Sequence, residues 1–106
     1  MKYYAVVEIE VTDQSWVAAY VQNVTMLVEK HGGRYLARTS RVEKPEGLRK
    51  VPQLMVIVEW PSRESAMTFY ECEEYRPYRQ SRIAGAGNEF LLVAGEDVTK
   101  TARIPE

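Results

Sequence analysis

The chain has 106 residues, 45% of them hydrophobic and 27% charged, with a formal net charge of −1. This is the make-up of one globular domain around a single core, without the basic balance that nucleic acid calls for and without an apolar run approaching the roughly 18 to 20 residues that span a bilayer. One cysteine, Cys72, cannot form an intrachain disulfide and suits a reducing compartment; with no signal-peptide pattern in Met1 to Val7, the expected location is cytoplasmic.

Tyr3 to Val11 is rich in aromatic and β-branched residues and reads as a strand. Its odd positions are all apolar, while the even positions run from Tyr4 and Val6 to Glu8 and Glu10. Thr12-Asp13 offers a cap for a helix from Gln14 to His31, on which Trp16, Tyr20, Val24, Leu27, Val28 and His31 form one stripe. Gly32-Gly33 ends that helix, and Arg34 to Glu43 is the second strand. Pro45, Gly47 and Pro52 punctuate a long connection. Its Lys44, Arg49 and Lys50 are interleaved with acidic residues, so it reads as a solvated loop.

Leu54 to Trp60 is almost continuously apolar and reads as a strand buried on both faces. Pro61-Ser62 caps a short helix to Tyr70, and Cys72 to Ala84 is a second helical piece bent or restarted at Pro77. Gly85 and Gly87 break it, Phe90 to Ala94 is the last strand, and residues 96–106 read as a polar tail or arm after a domain of residues 1–95.

The order β-α-β-β-α-β with right-handed crossovers predicts an α+β, ferredoxin-like fold: a four-stranded antiparallel sheet with two helices on one face. The other face then stays bare, although Tyr3–Val11 and Leu54–Trp60 carry apolar residues on both sides. A second copy packed sheet to sheet is the simplest cover, so a homodimer through the open face is expected.

Several separated stretches resemble one family. They are Tyr4 to Asp13, Gly32-Gly33-Arg34-Tyr35-Leu36-Ala37-Arg38, Glu46-Gly47, Val56 to Ser62, and Phe69-Tyr70 through Glu74-Tyr75 to Arg82. In order and over residues 3 to 95 they resemble the domain of unknown function 1330 family of small bacterial proteins. Two positions depart from the family pattern: Cys72-Glu73 stands where Ser-Pro is common, and Leu48 where tryptophan is common. The resemblance implies the dimeric α+β barrel fold and kinship with cofactor-free monooxygenases, muconolactone-type isomerases and haem-handling proteins. It also implies a cavity between sheet and helices in each subunit. It names no reaction, because fold does not fix chemistry.

Arg38 is the first candidate for chemistry. Alternation along the strand groups it with Leu36, Ser40 and Val42, opposite Tyr35, Ala37, Thr39 and Arg41. A guanidinium among apolar neighbours calls for an anion. The anion is either Glu8, Glu10 or Glu59 on adjacent strands, or the carboxylate or phosphate of a ligand. Tyr75, Tyr78, Arg79 and Arg82 have the spacing of one helix face and would suit an aromatic or enolic anion; the plainer reading turns the tyrosines inward and the arginines to water. Arg82 also matches the family's arginine at this place. His31, the only histidine, is a candidate for proton transfer or simply a residue at the core's edge. Tyr70 is either a proton donor at the pocket mouth or a buried aromatic, and Trp60 a core or pocket wall. Cys72 lacks the setting of a nucleophile.

One histidine and one cysteine give no spacing for a metal site, and no phosphate-cradling or dinucleotide fingerprint occurs, so no cofactor is expected. The resulting expectation is a homodimer binding a small, partly apolar anion through Arg38, Trp60, Tyr75, Tyr78 and Arg82. His31 or Tyr70 would serve any cofactor-free isomerase- or monooxygenase-like acid–base step. The alternative is a non-catalytic ligand-binding or interaction module.

Overall fold

The computed structural model describes residues 1–99. Four strands form one antiparallel sheet in the order β2-β3-β1-β4: β1 (Tyr3–Val11), β2 (Arg34–Thr39), β3 (Leu54–Trp60) and β4 (Ala86–Ala94). Three helices complete it: α1 (Val17–Lys30), α2 (Arg63–Glu71) and α3 (Arg76–Gly85). This is the expected ferredoxin-like α+β fold, with one more helix than the two expected. The chain is extended at Cys72, where α2 stops, and Pro77 sits in the first turn of α3, where its missing N–H costs nothing.

The alternation of β1 sorts the molecule into layers. Ala5, Val7 and Ile9 are buried under the helices, opposite Val58, Val56 and Leu54 of β3 and Leu92, Phe90 and Asn88 of β4. Val24, Leu27 and Val28 of α1 and Ala66 and Phe69 of α2 close that core from above. The opposite face carries Tyr4 and Val6 beside Ile57, Met55, Leu91 and Val93; Leu91 and Val93 are exposed. Its far end is acidic and already neutralised: Glu8 pairs with Arg49 and Glu10 with Lys50 of the β2–β3 connection.

The first helical turn differs from the expectation. Gln14–Trp16 is a 3-10 turn capped by Asp13, whose carboxylate accepts from the Ser15 N–H at 2.9 Å, and α1 starts only at Val17. At the other end Gly32 has φ +90°, the left-handed conformation that stops α1. Gly33 lies so close to Trp60 that a Cβ would stand 2.9 Å from the indole, which lets β2 leave the helix directly beneath it.

Two strand boundaries also move. β2 ends at Thr39 and not at Glu43, and β4 begins at Ala86, straight out of α3, with Gly87 inside the strand. The more consequential change lies within β2. Tyr35 pairs with Val58 but Ala37 pairs with Ile57, so Leu36 is an extra residue, a β-bulge. After the bulge the alternation is inverted, and Arg38 falls opposite Val56 on the same side of the sheet as Tyr35. The expected grouping of Arg38 with Leu36, away from Tyr35, is therefore corrected by one inserted residue. Of the expected tail at residues 96–106, Glu96 to Thr99 is irregular, and residues 100–106 lie outside the described residues.

Candidate functional site

The feature that gathers polar groups inside an apolar shell is a cavity of ≈ 100 Å³ between the sheet and α1. Its floor is Ala5, Val7, Ile9, Val56 and Val58; its roof is Val17, Tyr20, Val21, Val24 and Val28; Trp60, Phe69, Tyr75 and Phe90 stand at its sides. The lining residues include no histidine, cysteine or carboxylate. Its polar groups are Arg38, Thr25, Tyr35, Tyr20, Tyr75 and the Trp16 indole N–H, and that N–H is taken up by the Gly85 carbonyl at 3.0 Å. At ≈ 100 Å³ the space is smaller than the roughly 150 Å³ that holds benzene, so a larger ligand would enter by its narrow end.

Arg38 marks the mouth. Its guanidinium carbon lies 3.8 Å from the centre of the Tyr35 ring, a stacking that only the bulge permits. Its Nη1 donates to Thr25 Oγ1 at 2.7 Å, and that hydroxyl in turn donates to the Val21 carbonyl at 2.6 Å. The carboxylates expected as possible partners are on the other face and are engaged there: Glu59 with Lys2 and Arg34, Glu8 with Arg49, Glu10 with Lys50. Among the described residues Arg38 forms no ion pair, and the rest of its guanidinium fork remains available at the mouth. Burial raises the pKa of the Tyr35 phenol, with the Arg38 charge acting against it.

Arg82 occupies the inner end, behind the lining. It is only 1% exposed, the one buried charged residue among those described. Nε donates to Tyr20 Oη at 3.2 Å, Nη2 to Tyr75 Oη at 3.3 Å and Nη1 to Asn88 Oδ1 at 2.9 Å. The two phenols bond each other at 2.7 Å. Burial opposes the charge on Arg82, yet the oxygens of Tyr20 and Tyr75 prevail and hold its ionisation above the ordinary arginine value. Tyr20 moves the same way for a different reason: burial, then the neighbouring Tyr75 oxygen, push its ionisation well above the usual tyrosine range, against the pull of Arg82. A fixed cation held by neutral oxygens therefore backs two phenols that face the cavity.

The residues singled out from the sequence divide accordingly. Arg38, Trp60 and Tyr75 line the cavity, and Arg82 supports it from behind. Trp60 stacks on Phe69 at 5.2 Å between ring centres, and Phe69 on Tyr75 at 4.3 Å, an aromatic column that fixes the inner wall. Tyr70 lies outside, on a neighbouring hollow of ≈ 170 Å³ with Met67 and Leu92, its carbonyl accepting from Arg79. Tyr78 faces a surface groove beside Met26, Lys30 and Glu74. His31 is also elsewhere: its Nδ1 lies 2.8 Å from the Leu27 carbonyl and its ring meets Phe69 edge-on. The expected face of Tyr75, Tyr78, Arg79 and Arg82 thus contributes two members to the site. Tyr20, Thr25, Tyr35 and Asn88 were not singled out; Tyr20 stood in the buried stripe of α1, where its hydroxyl was the overlooked signal.

The described residues hold no cluster of three or more His, Cys, Asp or Glu side chains placed for a metal ion, and no helix among them is long and apolar enough to cross a membrane. No curated protein matches the chain in sequence. Among solved structures it is similar to a protein of unknown function from Rhodopseudomonas palustris, with 14% identity, a TM-score of 0.76 and coverage of 91% of this chain and 83% of that one. It is similar also to SnoaB, a cofactor-independent oxygenase from Streptomyces nogalater, at 12% identity, TM-score 0.65 and coverage of 93% and 97%. A de novo designed protein, Foldit4, shares the fold at 11% identity, TM-score 0.60 and coverage of 91% and 100%. At these identities the likeness is one of fold, and a design sharing it underlines that the fold carries no chemistry of its own. The family model described as Domain of unknown function (DUF1330) matches residues 2–96, and the chain belongs to that family.

Proposed function

We propose that this protein binds a small, partly apolar anion in the sheet–helix cavity, with the anionic end held at the mouth by Arg38. The observation that carries the reading is the placement of Arg38. A bulge lifts it to the helix side, Tyr35 and Thr25 hold it in position, and no carboxylate among the described residues neutralises it. A planar fork with donors left over is suited to a carboxylate or phosphate oxygen pair. The apolar walls then take the remainder of the molecule, and the limited volume favours a compact one.

The working unit is a homodimer joined through the open sheet face, which Tyr4, Val6, Ile57, Leu91 and Val93 make apolar at one end. If the bound molecule is turned over, the chemistry is cofactor-free isomerisation or oxygenation of an enolisable substrate. The cofactor-independent oxygenase among the fold neighbours supports that direction. A second reading, binding without turnover, is favoured by one observation: none of the cavity's lining residues is a histidine or a carboxylate that could exchange a proton near neutral pH.

The test is a thermal-shift screen of small carboxylates and enolates against wild type and Arg38→Ala. Stabilisation of wild type by at least one anion, lost in the variant, is expected. Equal shifts in both proteins would remove Arg38 from the reading. Light scattering at micromolar concentration checks the assembly: a dimer mass is expected, and a monomer would defeat the open-face argument.

A further inference from the structure

The inner end of the cavity presents a count of hydrogens that does not close within the protein. Tyr20 and Tyr75 each carry one phenolic hydrogen, and one of the two is spent on the bond between them. Arg82 is donor only, so its contacts to both phenol oxygens consume none. Among the described residues neither oxygen has any further partner. Whichever phenol donates to the other, the second keeps its hydrogen, and both side chains line the cavity. Behind them stands a guanidinium that is 1% exposed and faces no carboxylate among the described residues, so this end of the cavity has a positive charge awaiting a negative one.

We propose that the Tyr20–Tyr75 pair is an oxyanion site, and that the ligand is a conjugated oxyanion, an enolate or a phenolate, which enters oxygen first and accepts the spare phenolic hydrogen. The inference deepens the reading of the cavity as an anion site and rests on it. It adds a direction to the bound molecule, with its conjugated oxygen at the phenols and any second acidic group at the mouth with Arg38. Arg82 does not touch the ligand; by donating to both oxygens it polarises their O–H bonds and makes each a stronger donor, the more so in a water-poor site. The high ionisation range of Tyr20 agrees, since it keeps the phenol a donor at neutral pH and not a base.

The count also predicts how the site fails. Phenylalanine at either position removes the phenol–phenol bond and frees the remaining hydrogen, so a single substitution leaves one donor. Only the double substitution leaves none.

The probe is 4-nitrophenol, whose ionisation is visible in its absorbance. It is titrated with pH in free solution and with wild type, Tyr20→Phe, Tyr75→Phe and the double variant. Wild type is expected to bind the phenolate about tenfold more tightly than the neutral phenol, the preference one charge-assisted hydrogen bond confers, and so to lower the pH at which the bound probe ionises. Both single variants keep most of that displacement, and the double variant loses it.

Bound probe that ionises at or above its free value overturns the proposal. So does a single substitution that abolishes the displacement in a variant whose circular dichroism shows it folded. If the double variant does not fold, wild type and the single variants decide. Failure of wild type to bind the probe, while small carboxylates still stabilise it through Arg38, overturns the oxyanion site alone. Failure of both classes overturns the cavity reading as well.

Discussion

The two ends of the cavity each carry an arginine, and the two are held in opposite ways. Arg38 at the mouth is exposed, stacked on one ring and tied to one hydroxyl, with donors to spare. Arg82 at the inner end is enclosed, and its Nε, Nη1 and Nη2 are each bonded to a neutral oxygen. The first keeps donors open for the anion proposed above. The second is built into the fold and would reach a ligand only through the phenols it supports. On the proposed reading the same side chain thus serves recognition at one end and electrostatic support at the other, and burial decides which.

That contrast can be broken by experiment. The largest expected effect is on Arg82. Arg82→Ala opens a void and strips three oxygens of a donor, and it should cost roughly 3 kcal/mol or more in urea unfolding, as buried truncations that orphan polar groups do. A loss below about 1 kcal/mol, the size of a surface change, would show that Arg82 is not the keystone its contacts imply.

The next effect is on the pH dependence of stability. Tyr20 ionises well above the ordinary value of 10.0 in the folded protein, because burial disfavours the phenolate. Below that value both states hold the proton and the contribution is whole. As pH rises past it the unfolded chain releases the proton while the folded one retains it, so stability falls until the folded phenol also ionises. Thermal midpoints should therefore drop above about pH 10, and less steeply in Tyr20→Phe. Parallel slopes in the two proteins would place the proton release elsewhere.

The smallest effect is the stability of Arg38→Ala. Loss of one exposed cation–π contact and one exposed hydrogen bond to Thr25 should cost no more than about 1 kcal/mol, while the proposed anion binding is expected to disappear. A cost matching that of Arg82→Ala would erase the distinction between the two ends.

Much of this arrangement was legible in the residues. The period of β1, the apolar run of β3 and the glycine stop after α1 reflect local rules, burial on alternate positions and the left-handed freedom of Gly32, and these were enough for the fold. The spacing of Tyr75 and Arg82 likewise placed them on one helical face. Tyr78 and Arg79 fell away because their partners lie on different sides of α3: Arg79 is drawn to the Tyr70 carbonyl and Tyr78 to the groove beside α1. Tyr20 was hidden by its own good fit in an apolar stripe, where a ring reads as packing and its hydroxyl goes unnoticed. His31 stood out as the lone histidine, but rarity says nothing about position, and the Leu27 carbonyl holds it on the far side of Phe69. The bulge was illegible, since nothing in Arg34-Tyr35-Leu36-Ala37-Arg38 announces that one residue will go unpaired.

The extra residue at Leu36 makes the pairing register an address. Substituting Leu36 alters only an exposed side chain, and deleting it would restore strict alternation with Arg38 still opposite Val56, on the side of Tyr35. Pairing Leu36 with Ile57, with no residue left out, would instead set Arg38 opposite Met55, on the face we assign to the partner subunit, while leaving every side chain of the cavity floor unchanged. Within this fold, whether one residue of β2 is paired or left out decides which face of the sheet its arginine serves.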